Sequence, residues 1–376
     1  MKEKPCHEPQ KIIVVGATGK VGTELVKQIG EKDRKEQGHI HPTEIAMIAN
    51  SGYFKILTSE NADRLHPKKM REWLEQEGAP YDGTPKALEE IIGNEKRLNN
   101  AIVVDATDLK RQPVIEFHRS LLKRGLSIVT ANKNPLALST HEEFRALTDD
   151  RSKYKYGSTV MSGGGVIEWL QSLVDLNENV QWIRGCLSGT LGYLTSELEK
   201  GKKFSDILSA AKKAGYTEPH PWNDLNGLDV ARKAVIIARS LNIPVSMDEI
   251  TMQPMIDPKY GDIDGADDFL KAVEDEDKAM AAQMQTALNR GNTLRYMAEV
   301  ARKDSKYQVK VGLTEVPLSS LAGQLQGTAN LFECMAETST AEHPHQIISE
   351  GAGLKRTAFS IRLDLRNLLP HCVYST

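Results

Sequence analysis

KIIVVGATGKVGTELVKQIG, residues 11–30, is the stretch on which the fold turns. Ile12–Val15 are an apolar run of strand length, and beyond the glycines an amphipathic helix runs through Glu24, Leu25, Val26 and Ile29. Gly16, Gly19 and Gly22 lie between the two, spaced G-x-x-G-x-x-G. Glycine lets a backbone approach a pyrophosphate closely, and the pyrophosphate charge then sits at the helix N-terminus. Gly16, Ala17, Thr18, Gly19, Lys20, Val21 and Gly22 are therefore the candidate cofactor turn. The turn is one residue longer than the usual dinucleotide fingerprint. A glycine turn with no ligand is the bland alternative; a strand before it and a helix after it weigh against that.

Working outward, TEIAMIANS (residues 43–51) reads as the second strand, ending beside the adenosine ribose. A carboxylate there would accept the ribose hydroxyls and select NAD. Asn50 and Ser51 stand there instead, with Gly52 and Lys55 following, so no acid repels a 2'-phosphate and NADP is favoured over NAD. AIVVDAT (101–107) and LSIVTANK (126–133) read as two more strands around a helix at 112–124. Apolar strands alternating with helices predict an α/β fold, a Rossmann-type doubly wound parallel sheet. Thr107 and Lys133 then fall at carboxyl ends of strands, where such sheets bind ligands.

The texture changes near residue 155. Gly163–Gly165 precede a helix, a strand covers 182–186, and a helix turns Ile207, Leu208 and Ala211 inward before stopping at Gly215. Residues 216–226 are a proline-interrupted loop carrying Glu218, His220, Asn223 and Asp224. The helix that follows, 227–241, is apolar nearly all round, with Arg232 and Arg239 as its solvent stripe. Asp229 and Lys233 point elsewhere, between Ile236 and Ile237. An i,i+4 ion pair is usually a surface feature worth about 0.2–0.5 kcal/mol. Here the apolar flanks argue against that, because a buried cation costs several kcal/mol of desolvation. Such a cost is tolerated where a group must give or take a proton. Residues 264–277 read as a solvated acidic helix face.

At 376 residues the chain can bury two domain cores. Its 48 basic and 51 acidic residues leave a net charge of -3, which argues against nucleic acid or a membrane surface as partner. Cys6, Cys186, Cys334 and Cys372 lie far apart, as reduced cytosolic thiols do. MKEKPCHEPQ has no apolar signal-peptide core, and no apolar run is long enough to cross a membrane. A soluble cytoplasmic protein is expected. His343 and His345, on a proline-broken loop, read as plain surface.

GYTEPHPWNDLNGLDVARK (215–233) resembles the signature region of the homoserine dehydrogenases. The resemblance runs along the chain through TANKNPLA (130–137), STVMSGGGVIE (158–168), GCLSGTLGYL (185–194), PLSSLAGQLQGTANLF (317–332) and EGAGLKRTA (350–358). It implies NAD(P)-dependent hydride transfer between L-homoserine and L-aspartate 4-semialdehyde, in threonine, methionine and isoleucine biosynthesis. It implies Lys233 as proton carrier, Asp229 fixing the substrate hydroxyl and the lysine, and Lys133 as a second catalytic lysine near the nicotinamide and the substrate oxygen or carboxylate. Glu218 and Asp224, with Gly215 and Thr217, match the segment that holds the substrate ammonium. Gly351 falls on the cofactor side, and Gly157, Val160, Ser162 and Gly164 match a turn that binds sodium through backbone carbonyls. Gly157 departs from a common glutamate, His220 from a common aspartate, and Trp222–Asn223 from a common Arg–Asp pair.

The expected domains are 1–155 for the cofactor, 156–345 for the substrate, with a mixed sheet and the dimer contacts, and 346–376 returning to the first. A homodimer or dimer of dimers is implied, in the stand-alone form without a fused kinase or regulatory domain. A dehydrogenase of another small amino-semialdehyde should lack the loop acids, and a nucleotide sensor without catalysis should lack Lys233 or Asp229; all are present.

Overall fold

The computed structural model describes residues 9–33, 41–58, 65–304, 306–339, 343–350 and 353–369. The chain divides into two compact units, residues 1–163 with 353–376, and residues 164–352.

In the first unit β1 (Gln10–Val15), β2 (Thr43–Ala49), β3 (Tyr53–Ile56), β4 (Ala79–Pro80), β5 (Ile102–Asp105), β6 (Ser127–Thr130) and β7 (Tyr154–Lys155) form one sheet. Their order is β4-β3-β2-β1-β5-β6-β7. The five strands from β2 to β7 in that order are parallel, and β3 and β4 add an antiparallel edge. The chain moves outward from β1 to β2, then crosses to β5 on the other side of β1. That reversal is the switch point at which doubly wound sheets bind ligands. Ile12, Ile13, Val14, Val103 and Val104 are fully buried, as strands covered on both faces must be.

The helix Lys20–Lys32 buries Leu25, Val26 and Ile29 at helical spacing. They share a core with Ala358, Ile361 and Leu365 of the helix Leu354–Asn367. Each large side chain buried there contributes about 1.5–3 kcal/mol. Arg362 locks the two together: its Nε donates to Asp33 Oδ2 at 2.5 Å and its Nη2 to Asp33 Oδ1.

The second unit holds β8 (Val180–Cys186), β9 (Thr251–Met252), β10 (Asn292–Lys303), β11 (Lys306–Pro317), β12 (Ala329–Ala336) and β13 (His345–Glu350). Their order is β13-β12-β8-β10-β11-β9, antiparallel except for the parallel pair of β11 with β9, so the sheet is mixed. The ladder between β13 and β12 holds residues 345–350 in this unit, so its last boundary falls at 352 and not 345. Its first boundary falls at Gly163–Gly164, after β7, rather than at 155.

The helix Leu228–Ser240 packs on β10, β11 and the helix Val166–Asp175. Gly227 starts it at φ +76°, where a Cβ would lie 2.0 Å from the Tyr296 hydroxyl. The expected arginine stripe is half wrong: Arg239 is 1% exposed. Its Nε donates to Val245 O at 2.8 Å, because the chain after the helix turns back over it. A helical wheel cannot see a carbonyl that returns from beyond the helix.

Candidate active site

The glycine turn is tied to the end of β2. The Gly16 and Ala17 N–H groups both donate to Ala49 O, at 2.9 and 3.0 Å. Gly16 sits at φ +80°, and a Cβ on it would lie 2.8 Å from Ala106 O and 3.0 Å from Thr107 Cγ2. A Cβ on Gly22 would lie 2.3 Å from Gly16 O, so only glycine lets the helix close on the turn. Gly19 caps the helix with no side chain, and Thr23 N–H is the donor to its carbonyl. The first-turn N–H groups at Lys20, Val21 and Gly22 have the arrangement that binds a phosphate. Ala17 is buried, Thr18 and Val21 are half-buried, and Lys20 is exposed.

At the end of β2, Asn50 Oδ1 accepts the N–H groups of Gly52 (2.9 Å) and Tyr53 (2.8 Å). Its side chain therefore shapes the turn. The strap Tyr81–Gly83 runs alongside: Tyr81 N–H donates to Gly52 O at 3.0 Å and its hydroxyl to Asn50 O. Asp82 in the strap is held by the Thr84 N–H and hydroxyl, at 2.8 and 2.7 Å. Ser51 is exposed. Lys55 is committed elsewhere, to Glu77 O at 2.7 Å and over the Trp73 ring.

Thr107 and Lys133 lie on the two loops that follow β5 and β6, and one network joins those loops. Asn132 Nδ2 donates to Leu109 O at 2.9 Å and Asn134 Nδ2 to Asp108 O at 3.0 Å. Lys133 is held between these two asparagines. The Thr107 hydroxyl gives its proton to Asp105 Oδ1 at 2.6 Å, so what it offers a ligand is an acceptor.

In the second unit, Lys233 is 8% exposed. Its Nζ donates to Leu187 O at 2.6 Å and lies 2.8 Å from Asp229 Oδ2. Leu187 follows β8 and precedes Ser188, whose hydroxyl caps the helix Gly189–Leu198. Two of the three ammonium protons are thus engaged and one remains. The Asp229 side chain is 43% exposed, so the pair has a buried end and a wet end.

The acid loop sits on the same helix start. Gly215, at φ +73°, ends the helix Phe204–Lys213. Tyr216 O accepts the Thr190 hydroxyl at 2.6 Å, and the Thr217 hydroxyl donates to Glu218 O at 2.9 Å. The Glu218 N–H donates to Asp224 Oδ2 at 2.8 Å, while Glu218 itself is exposed. Burial first, then the charges of Glu218 and Asp229, push the Asp224 carboxyl up to about 6, against the pull of the Glu218 N–H. Asp224 rides on a short helix, Trp222–Leu225, where the sequence had suggested only loop. Thr190 and Leu187 were missed by sequence reasoning: one is a common polar residue, and the other acts through its carbonyl.

Gly157 lies in a helical turn, Gly157–Thr159, and Val160 O accepts the Gly163 N–H at 3.1 Å. Met161, Ser162 and Gly163 follow at φ 49°, 49° and 79°, a sharp left-handed run. Gly164 comes next, as the first residue of the second unit. His345 is not plain surface: its ring stacks on Trp169 with centroids 3.8 Å apart. Gly351 lies outside the described residues.

A doubly wound sheet with a glycine turn at its switch point is the architecture of the dinucleotide-binding folds, and the second unit sets a half-buried lysine–aspartate pair beside a carboxylate loop. Residues 166–365 match the family model for homoserine dehydrogenase, and residues 18–155 match the homoserine dehydrogenase NAD-binding domain. The chain belongs to the homoserine dehydrogenase family.

Homoserine dehydrogenase of Saccharomyces cerevisiae is 31% identical over 258 residues, covering 66% of this chain and 70% of that protein. The chloroplastic bifunctional aspartokinase/homoserine dehydrogenase of Daucus carota is 30% identical over 365 residues, 95% of this chain and 38% of that protein. The chain thus spans about two-fifths of the length of such bifunctional relatives. A putative homoserine dehydrogenase from Archaeoglobus fulgidus shares the fold, with a TM-score of 0.73 at 24% identity over 95% of this chain and 98% of that one. A hyperthermophilic archaeal homoserine dehydrogenase, solved with NADPH, has a TM-score of 0.69 at 20% identity over 96% and 97%.

Proposed function

We propose that the protein interconverts L-homoserine and L-aspartate 4-semialdehyde with a nicotinamide dinucleotide. The observation that carries this reading is Lys233, buried, with Leu187 O and Asp229 Oδ2 on two of its donors. The third proton is the one it can give to an alkoxide as the aldehyde is reduced, or regain as the alcohol is oxidised. Asp229 orients the ammonium and, from its wet end, meets the substrate hydroxyl. Glu218 and Asp224 hold the substrate ammonium, with Gly215 and Thr217 shaping that loop.

The first unit holds the cofactor, with the residue 16–22 turn on the pyrophosphate, Asn50 and Ser51 near the ribose, and Thr107 and Lys133 toward the nicotinamide; Gly351 belongs to the same reading. When bound, the dinucleotide supplies or accepts the hydride. Gly16 and Gly22 let the turn close on Ala106 and on itself, where a Cβ would lie 2.8 Å from Ala106 O and 2.3 Å from Gly16 O, and a turn so closed offers its first-turn N–H groups to a pyrophosphate. NADP(H) is accepted at least as well as NAD(H), because no acid follows β2 directly. A sodium ion on carbonyls of Gly157, Val160, Ser162 and Gly164 belongs to the same reading, as do a cytoplasmic homodimer or dimer of dimers and a place in threonine, methionine and isoleucine biosynthesis.

A spectrophotometric assay with L-homoserine and each nucleotide tests the proposal. Turnover of another amino alcohol in preference to homoserine would favour a different semialdehyde. Nucleotide binding without turnover would favour a sensor.

A further inference from the structure

Asp105, at the end of β5, is 1% exposed, and neither it nor His118 or Tyr154 has a role in the chemistry above. Its Oδ1 accepts the Thr107 N–H (3.0 Å) and hydroxyl (2.6 Å), and its Oδ2 accepts the Thr130 hydroxyl at 3.3 Å. His118 Nε2 lies 3.1 Å from the same Oδ2, approaching off-axis, and is fully buried. On its other side, His118 Nδ1 is 2.9 Å from the hydroxyl of Tyr154, which is also fully buried. The three side chains come from β5, from the helix Arg111–Lys123 and from β7, so they are brought together by the fold alone.

Burial pushes the Asp105 carboxyl up, but the donors His118 and Thr107 outweigh it and leave it below the ordinary carboxylate range. Burial, with the charges of Asp105 and Tyr156, holds the Tyr154 hydroxyl well above its usual value, so it stays a donor. With the Tyr154 O–H as donor to Nδ1, the opposite edge of the His118 ring is turned to Asp105, its Nε2 3.1 Å from Oδ2.

The output of this chain is the crevice floor. Thr107 Cγ2 is the atom that a Cβ on Gly16 would meet at 3.0 Å. The Thr130 hydroxyl also accepts the Asn132 N–H at 3.0 Å, Asn132 Oδ1 accepts the Asn134 N–H at 3.0 Å, and Lys133 lies between them. A buried charge that grips both loops is costly unless every partner is kept, which makes its geometry single-valued.

We infer that Asp105, His118 and Tyr154 form a positioning triad that sets the loops carrying Thr107 and Lys133 for the nicotinamide half of the cofactor. The inference rests on the reading that this unit binds a dinucleotide. The triad touches no reacting atom and acts through the threonines and asparagines.

The test is the Kd of the reduced nucleotide on folded protein, with melting temperature measured alongside. His118→Leu should weaken binding about tenfold, as small misplacements of a binding group do. His118→Gln, which restores an N–H donor near the Nε2 position, should recover most of that loss. Tyr154→Phe, which keeps the ring and loses the hydroxyl, should weaken binding severalfold; it decides the matter alone if His118→Leu does not fold. A purely structural triad would lower the melting temperature and leave Kd on the folded protein unchanged. That result overturns the inference. Unmodified protein that binds no nucleotide would instead overturn the reading on which it rests.

Discussion

If Lys233 relays the proton, Lys233→Ala should lower kcat by about 10²–10⁴, the usual worth of a general acid–base group. Nucleotide Kd should hardly move, because the glycine turn proposed to bind it belongs to the other unit. Lys233→Arg should rescue little. A guanidinium stays protonated at any usable pH and, as a flat fork, is a poor match for contacts at 2.6 and 2.8 Å built around a point donor. A surface ion pair predicts the reverse: near-normal turnover with arginine and at most about 1 kcal/mol of lost stability. Steady-state kinetics on the arginine variant separate the two. Asp224 gives a second residue-level prediction. Its carboxyl, pushed up to about 6, is largely neutral below that pH and cannot pair with an ammonium. The KM for homoserine should therefore fall as pH rises through about 6, as the anion forms. Asp224→Asn should raise KM and flatten that slope. A wild-type KM that is level across the same window would assign the ammonium to Glu218 alone.

The end of β2 carries the prediction at the scale of an element. Ser51 is exposed where a ribose-binding acid is common in such folds, so Ser51→Asp should move preference toward NAD by repelling a 2'-phosphate. The measured quantity is the ratio of kcat/KM for the two cofactors, and an unchanged ratio would place the ribose elsewhere. Lys55 is no help to a 2'-phosphate, because Glu77 and Trp73 already hold it. This element also marks how far the sequence could be read. The run of Ile12–Val15 into the glycine turn was legible because strand, turn and helix each have a local signature. The antiparallel β3 and β4 were not: four half-buried residues and a two-residue strand carry no periodicity of their own. Arg295 was invisible for a related reason. It is 1% exposed in a strand, with Nε to Ala322 O at 3.0 Å and Nη2 to Glu199 Oε2 at 2.8 Å, and only the fold brings those partners to it. The Lys233 pair was legible because a charge inside an apolar helix contradicts its surroundings. Thr190 and the His118 triad contradict nothing locally.

At the scale of the whole molecule, the chain builds most of one unit, inserts a second, and returns to complete the first. The return is the helix Leu354–Asn367, and its grip is the Arg362–Asp33 pair, with side chains only 16% and 6% exposed. Asp33 also anchors the entry to β2, since its carbonyl accepts the Thr43 N–H at 2.8 Å. Gln28 adds a further tie, donating to Lys355 O at 3.0 Å. Arg362→Ala should therefore destabilise the nucleotide unit by about 3 kcal/mol, the cost of leaving a nearly buried carboxylate without its partner. Arg362→Lys should recover little, because one ammonium cannot span both carboxylate oxygens. Since the damage lies in the unit that binds the cofactor, a ligand of that unit should offset it. Nucleotide at a hundredfold its Kd adds about 2.7 kcal/mol to whatever state binds it, nearly the whole deficit. Thermal melts of Arg362→Ala should then show a lowered transition that NADP(H) restores and homoserine alone does not. Restoration by homoserine instead would mean that the C-terminal helix stabilises the substrate unit, and the division of labour between the two units would have to be redrawn.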